Sequence, residues 1–193
     1  MNVKNLPNIL SFLRLLAAIA FPILFFTLYP NVVPAMILFA LAGVTDVLDG
    51  FLARKNGWVS DLGKILDPLA DKLMQAAVLI SLTVKRIIPW WITALYLLKE
   101  LLMLCGATVV LKTSNTVVVS RWCGKLAALV FYAAMFTLGF FGEKLSRGWV
   151  IAICLGTLAV ALLALIFYLP DFFRYAGKER KEEEKTSARA QSR

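Results

Sequence analysis

Asp46-Val47-Leu48-Asp49-Gly50-Phe51-Leu52-Ala53-Arg54, then eight residues, then Gly63-Lys64-Ile65-Leu66-Asp67-Pro68-Leu69-Ala70-Asp71: this stretch sets four carboxylates on either side of one turn in a strongly apolar chain. Asp46 and Asp49 are three residues apart and Asp67 and Asp71 four apart. At about 100° per residue, each pair shares one helix face. Two such faces folded against each other make a cage of carboxylate oxygens. Ionised carboxylates at membrane depth cost roughly 2.5–3.5 kcal/mol each on insertion scales, and their mutual repulsion adds to that cost. A neutralising partner is therefore needed. Hard divalent cations such as Mg²⁺ or Mn²⁺ prefer oxygen ligands, and two of them beside a phosphoryl centre stabilise both the attacking and the leaving oxygen.

The residues between the carboxylates point the same way. Gly50 and Ala53 on the first helix and Gly63 at the start of the second let a flat base or a pyrophosphate approach the backbone closely. Arg54 offers the planar fork that pairs bidentately with phosphate. Pro68, directly after Asp67, is expected to distort its helix locally.

Outward from this centre the composition is that of a membrane protein. Of 193 residues, 60% are apolar and 17% charged, against about 45–50% and about 25% in soluble domains. There is no histidine, which excludes histidine base catalysis, histidine metal ligation and phosphohistidine chemistry. Cys105, Cys123 and Cys154 have no short paired spacing and read as packing residues. The net charge of +9 reflects basic cytoplasmic loops and a tail mixed with Glu179, Glu182, Glu183 and Glu184, and so implies no nucleic-acid partner.

Apolar runs of roughly 20 residues divide the chain into six transmembrane helices over 8–29, 33–54, 62–84, 88–111, 122–142 and 148–169, preceded by a short, mostly polar interfacial segment. The fold class is an all-α integral membrane protein. Residues 1–170 form one membrane domain, and 171–193 a charged cytoplasmic tail without fixed structure. Ala18-Ile19-Ala20 imitates a signal cleavage site, but the apolar run continues past Pro22 to Phe26, so the first helix reads as retained. Six crossings put both termini on one side. That side carries Lys4, Arg14, Arg54, Lys55, Lys64, Lys112, Arg121, Lys125 and the basic tail; Lys85, Arg86, Lys144 and Arg147 lie opposite. The positive-inside rule places the termini, and the turn between the aspartate pairs, in the cytoplasm. Trp90, Trp91 and Trp149 fall near helix ends as interface anchors.

A single intramembrane aspartate is more simply a helix cap, a proton relay or an ion-transport ligand. Four at this spacing, with the glycines and Ala53-Arg54 between them, are a different signal. Asp46-x-x-Asp49-Gly50-x-x-Ala53-Arg54, eight residues, Gly63-x-x-x-Asp67-x-x-x-Asp71 resembles the signature of the CDP-alcohol phosphotransferase family without a substitution. The resemblance implies a six-helix dimeric membrane enzyme with a dinuclear metal site facing the cytoplasm. It implies that Asp46, Asp49, Asp67 and Asp71 hold two divalent cations, that Asp71 also serves as general base, and that Gly50, Ala53, Arg54 and Gly63 contact the cytidine nucleotide. The rival from another class is a cation or proton-coupled transporter, which would not need Arg54 and the glycine pattern.

The signature concerns the lipid donor, CDP-diacylglycerol, and leaves the acceptor alcohol to other residues. Asn5-Leu6-Pro7-Asn8-Ile9-Leu10-Ser11, with Arg14 about one turn on, resembles the opening of the branch that uses glycerol 3-phosphate. Lys112, Arg121 and Lys125 are candidates for the acceptor phosphate, or are ordinary positive-inside loop charge. Lys99-Glu100 and Leu126-Ala127 depart from the branch pattern, and a cardiolipin synthase taking phosphatidylglycerol is the nearest rival.

Overall fold

The computed structural model describes residues 6–56, 61–114 and 122–166, with side-chain surroundings over 9–46, 66–103, 124 and 126–166. Among these residues all regular structure is helical: α1 (Leu6–Thr27), α2 (Val33–Asn56), α3 (Asp61–Val84), α4 (Trp90–Ser114), α5 (Trp122–Phe141) and α6 (Arg147–Ile166). Each helix coincides with a predicted apolar span to within a few residues. The proposed tail and the turn at 57–60 lie outside the described residues.

Local chemistry sets the ends. α1 begins at Leu6 rather than Asn8, because Pro7 falls in the first turn, where its missing amide proton has no intrahelical role. At the start of α2 the Asn31 side chain accepts a hydrogen bond from the Val33 amide at 3.3 Å, and the Met36 amide closes onto the Val32 carbonyl at 3.0 Å. α3 continues through Pro68. It ends in a Schellman motif, with the Arg86 amide donating to Thr83 O at 2.8 Å and the Ile87 amide to Leu82 O at 3.0 Å. Arg86 occupies the left-handed position there with φ 58°, a place usually held by glycine.

The chain divides into two compact units. The first comprises 1–94 and 132–154, and the second 95–131 and 155–193. In the first, among the described residues, α1 packs along both α2 and α3. Phe21 and Phe25 of α1 and Met36 and Phe39 of α2 are fully buried, as are Met74, Val78 and Leu82 of α3. Phe39 stacks on Tyr132 with ring centroids 4.7 Å apart. In the second unit Tyr96 and Phe131 meet with centroids 5.8 Å apart, and Lys99 pairs with Glu100.

The first turns of α1 add polar groups to the apolar core of the first unit. Ser11 and Arg14 are buried, at 0% and 1% exposure, while Phe12, Leu16, Ile19 and Ile23 of the same helix are exposed. The exposed set recurs at about helical spacing, so α1 presents an apolar stripe outward and its polar groups inward. An outward stripe of this kind is rare on soluble monomers and usual where a helix meets lipid or a partner. Two helices, Ile9–Thr27 within α1 and α6, are long and apolar enough to cross a membrane.

Candidate active site

Helices α2 and α3 of the first unit bring Asp46, Asp67 and Asp71 near one another, and α1 supplies partners for Asp46 and Asp67. Ser11 and Arg14 lie three residues apart and so share one face of α1. The Arg14 guanidinium donates to Asp46 Oδ1 on α2 at 2.6 Å. The Ser11 hydroxyl donates to Asp67 Oδ1 on α3. This inward face of α1 is therefore a bridge between the two acidic segments. Along α3, Asp67, Asp71 and Gln75 follow at intervals of four and share a face, and the Gln75 side-chain amide donates to Asp71 Oδ2 at 3.0 Å.

Asp46 lies in the electrostatic field of both Asp71 and Asp67 as well as of Arg14. The Tyr132 phenol of α5 interacts with Asp71 and feels Asp46 and Arg14. Among the described residues, Asp46, Asp67 and Asp71 thus lie near one another and near Arg14 as a set of hard oxygen donors. Such a set fits a divalent cation rather than a soft metal. Among the described residues, which do not include the Asp49 side chain, no three acidic or sulfur groups adopt a metal-holding arrangement.

The other site residues from the sequence have a less complete structural account. Asp49, Gly50, Ala53 and Arg54 fall on α2 and Gly63 on α3, but their side chains lie outside the described residues. Lys112 on α4 and Lys125 on α5 are in the same position, and Arg121 lies wholly outside. Conversely, sequence reading did not single out Gln75 or Tyr132, and used Ser11 and Arg14 only as an opening motif. Gln75 was legible in principle as a polar residue four after Asp71. Tyr132 carried no signal, since a tyrosine in an apolar helix reads as packing.

Tyr132 owes its position to a small residue opposite. A Cβ built on Gly43 of α2 would lie 2.8 Å from Tyr132 Cε1 and 3.1 Å from Cδ1. Gly43→Ala is therefore expected to push the ring away from α2 and to destabilise the protein by about 1–3 kcal/mol, as overpacking does. Unfolding in mixed detergent micelles measures this, and an unchanged midpoint would show that the ring has room to move.

Fold and site together define an all-α protein with membrane-length apolar helices and a carboxylate cluster held from within by polar side chains. The sequence model of the family described as CDP-alcohol phosphatidyltransferase matches residues 4–169. The chain belongs to the CDP-alcohol phosphatidyltransferase family, and it is a transferase rather than a transporter. It is 34% identical over 173 residues to a Mycobacterium tuberculosis protein named probable phosphatidylglycerophosphate synthase, covering 85% of this chain and 78% of that one. It is 40% identical over 90 residues to the CDP-diacylglycerol--glycerol-3-phosphate 3-phosphatidyltransferase of Bacillus subtilis, covering 47% of this chain and 46% of the relative. It is also 40% identical over 108 residues to the CMP-forming cardiolipin synthase of Streptomyces coelicolor, covering 53% and 49% of the two chains.

Proposed function

We propose that this protein is a phosphatidylglycerophosphate synthase, transferring the phosphatidyl group of CDP-diacylglycerol to glycerol 3-phosphate with release of CMP. The observation that carries the reading is the cluster of Asp46, Asp67 and Asp71 inside the first unit, with the family signature running through it. The acceptor assignment rests on the similarity to the Mycobacterium tuberculosis relative, which extends over most of both chains. The protein acts as a homodimer in the cytoplasmic membrane, with all six helices crossing and the aspartate end facing the cytoplasm, as the lysine and arginine distribution favours.

The family is generally dependent on divalent metal. Two such cations, Mg²⁺ or Mn²⁺, held by Asp46, Asp49, Asp67 and Asp71, would neutralise the diphosphate of the donor and the oxyanion of departing CMP. The chain's own groups then do the rest. Gln75 holds one oxygen of Asp71 in place, and Asp71 takes the proton from the acceptor hydroxyl. The acceptor oxygen forms its bond to the β-phosphorus as the bond from that phosphorus to the bridging oxygen breaks, and CMP leaves with the electron pair. Arg14 and Ser11 fix the orientation of Asp46 and Asp67, while Tyr132 lies beside Asp71. Gly50, Ala53, Arg54 and Gly63 hold the cytidine nucleotide, and Lys112, Arg121 and Lys125 are the candidates for the acceptor phosphate.

The similarity to the Streptomyces coelicolor enzyme supports a second reading, in which phosphatidylglycerol is the acceptor. Purified protein with CDP-diacylglycerol and Mg²⁺ is expected to release CMP with glycerol 3-phosphate, to be inactive with phosphatidylglycerol, and to stop on addition of a chelator. Release with phosphatidylglycerol alone would replace the acceptor and keep the chemistry. Absence of release with any alcohol would overturn the whole reading.

A further inference from the structure

The first unit holds a second polar cluster at the end remote from the aspartates. Along α2 from Asp46 to Val33, and along α3 from Asp71 to Lys85, the separation is about 20 Å at 1.5 Å per residue. The connections after α1, α3 and α5 converge there. The Tyr29 hydroxyl donates to the Glu143 carboxylate, the Lys85 ammonium sits 3.2 Å above the Tyr29 ring centroid, and the Arg147 guanidinium donates to the Arg86 carbonyl at 3.3 Å. Between them lies a cavity of about 320 Å³ lined by Lys85, Arg86, Glu143 and Arg147 over an apolar wall that includes Ile87 and Val150.

Three cations and one carboxylate therefore line a single recess, and that carboxylate is already engaged by Tyr29. Among the described residues none of Lys85, Arg86 and Arg147 forms an ion pair. Arg86 is also held at φ 58°, a conformation that disfavours every residue with a Cβ and that glycine adopts without cost. That φ belongs to the cap that ends α3, and the cap sets Arg86 in the lining of the recess beside Lys85. The recess is at the small end of ligand pockets, about 300–1,000 Å³, which suits a single phosphate group and its immediate substituent.

We propose that this recess binds a phosphate-bearing anion through Arg86, Arg147 and Lys85, the chemistry shared by an anionic phospholipid headgroup and free phosphate. Guanidinium groups pair with phosphate oxygens bidentately, which an isolated lysine does not match. Exposed Trp90 and Trp149 on the adjoining helix ends mark the level at which a headgroup would lie. The site is separate from the transferase centre, so its test does not depend on turnover.

The full chain, purified in neutral detergent, is compared by thermal unfolding in four conditions: detergent alone, inorganic phosphate, mixed micelles with phosphatidylglycerol, and mixed micelles with phosphatidylcholine. Phosphatidylglycerol or phosphate is expected to raise the midpoint and phosphatidylcholine to leave it unchanged. A response to phosphatidylglycerol alone assigns a lipid headgroup, and an equal response to phosphate assigns the free ion. In Arg86→Gly with Arg147→Gln, the half-saturating concentration is expected to rise at least about tenfold as two charge-assisted contacts are lost. The glycine relieves the positive φ, so Arg86→Gly alone should unfold no earlier than the parent while binding more weakly. Glu143→Gln removes the carboxylate from the described lining of the recess and should tighten the response. A double variant that responds like the parent, or a Glu143→Gln protein that responds no better, overturns the proposal.

Discussion

Asp71→Asn is expected to lower CMP release from CDP-diacylglycerol by about 10²–10⁴-fold, the range lost with a general base, while the protein remains folded. The asparagine carbonyl can still accept the Gln75 amide that now donates to Asp71 Oδ2 at 3.0 Å, so the local geometry has no reason to collapse. Removing one of three mutually repelling carboxylates also relieves Asp46, which feels Asp71 more strongly than Asp67. The variant should therefore unfold at the same midpoint as the parent or a higher one, the usual sign of a group kept for chemistry at some cost in stability. Single-turnover assays at saturating glycerol 3-phosphate, run beside a thermal melt, separate the two effects. Turnover near that of the parent would remove Asp71 from the base role.

The second large effect is expected at Arg14, a residue of the first helix that sequence reading left outside the site. Its side chain is fully buried and its partner Asp46 is 38% exposed. Deleting one member of a buried ion pair costs about 3–5 kcal/mol, and solvent reaching Asp46 reduces this to about 2–3 kcal/mol for Arg14→Leu. Arg14→Lys should recover only part of the loss, since a point charge replaces a planar fork. Arg14→Leu combined with Asp46→Asn should recover part of it, because the direct partner of Arg14 is then no longer left as an uncompensated charge. Unfolding by sodium dodecyl sulfate in mixed micelles gives these differences. A change below about 0.5 kcal/mol for Arg14→Leu would mean that the pair is not a determinant of the bundle.

These two residues illustrate different kinds of legibility. Asp71 stands in a local pattern, four residues after Asp67 and within one turn of Gln75, and such patterns survive in the sequence because helical geometry maps spacing onto direction. Arg14 meets Asp46 across 32 positions and Ser11 meets Asp67 across 56, and no spacing rule reaches that far. Tyr132 is more distant still, and its approach depends on the absence of a side chain at Gly43.

The amino-acid sequence by itself determined the helices, their ends to within a few residues, and the two acidic faces, because apolar run length, breakers and the 3.6-residue period are local properties. It also determined the family, because the signature is contiguous in the chain. Only the tertiary structure decided that α1 lies along both α2 and α3 and turns Ser11 and Arg14 onto the aspartates, and that three distant connections assemble a basic recess at the other end. Those outcomes depend on which faces of separate helices pack together. In a chain apolar on nearly every face, the period of hydrophobicity does not distinguish an inward side from an outward one. The few polar groups that must find partners inside the bundle make that choice, and their pairing is a property of the folded chain.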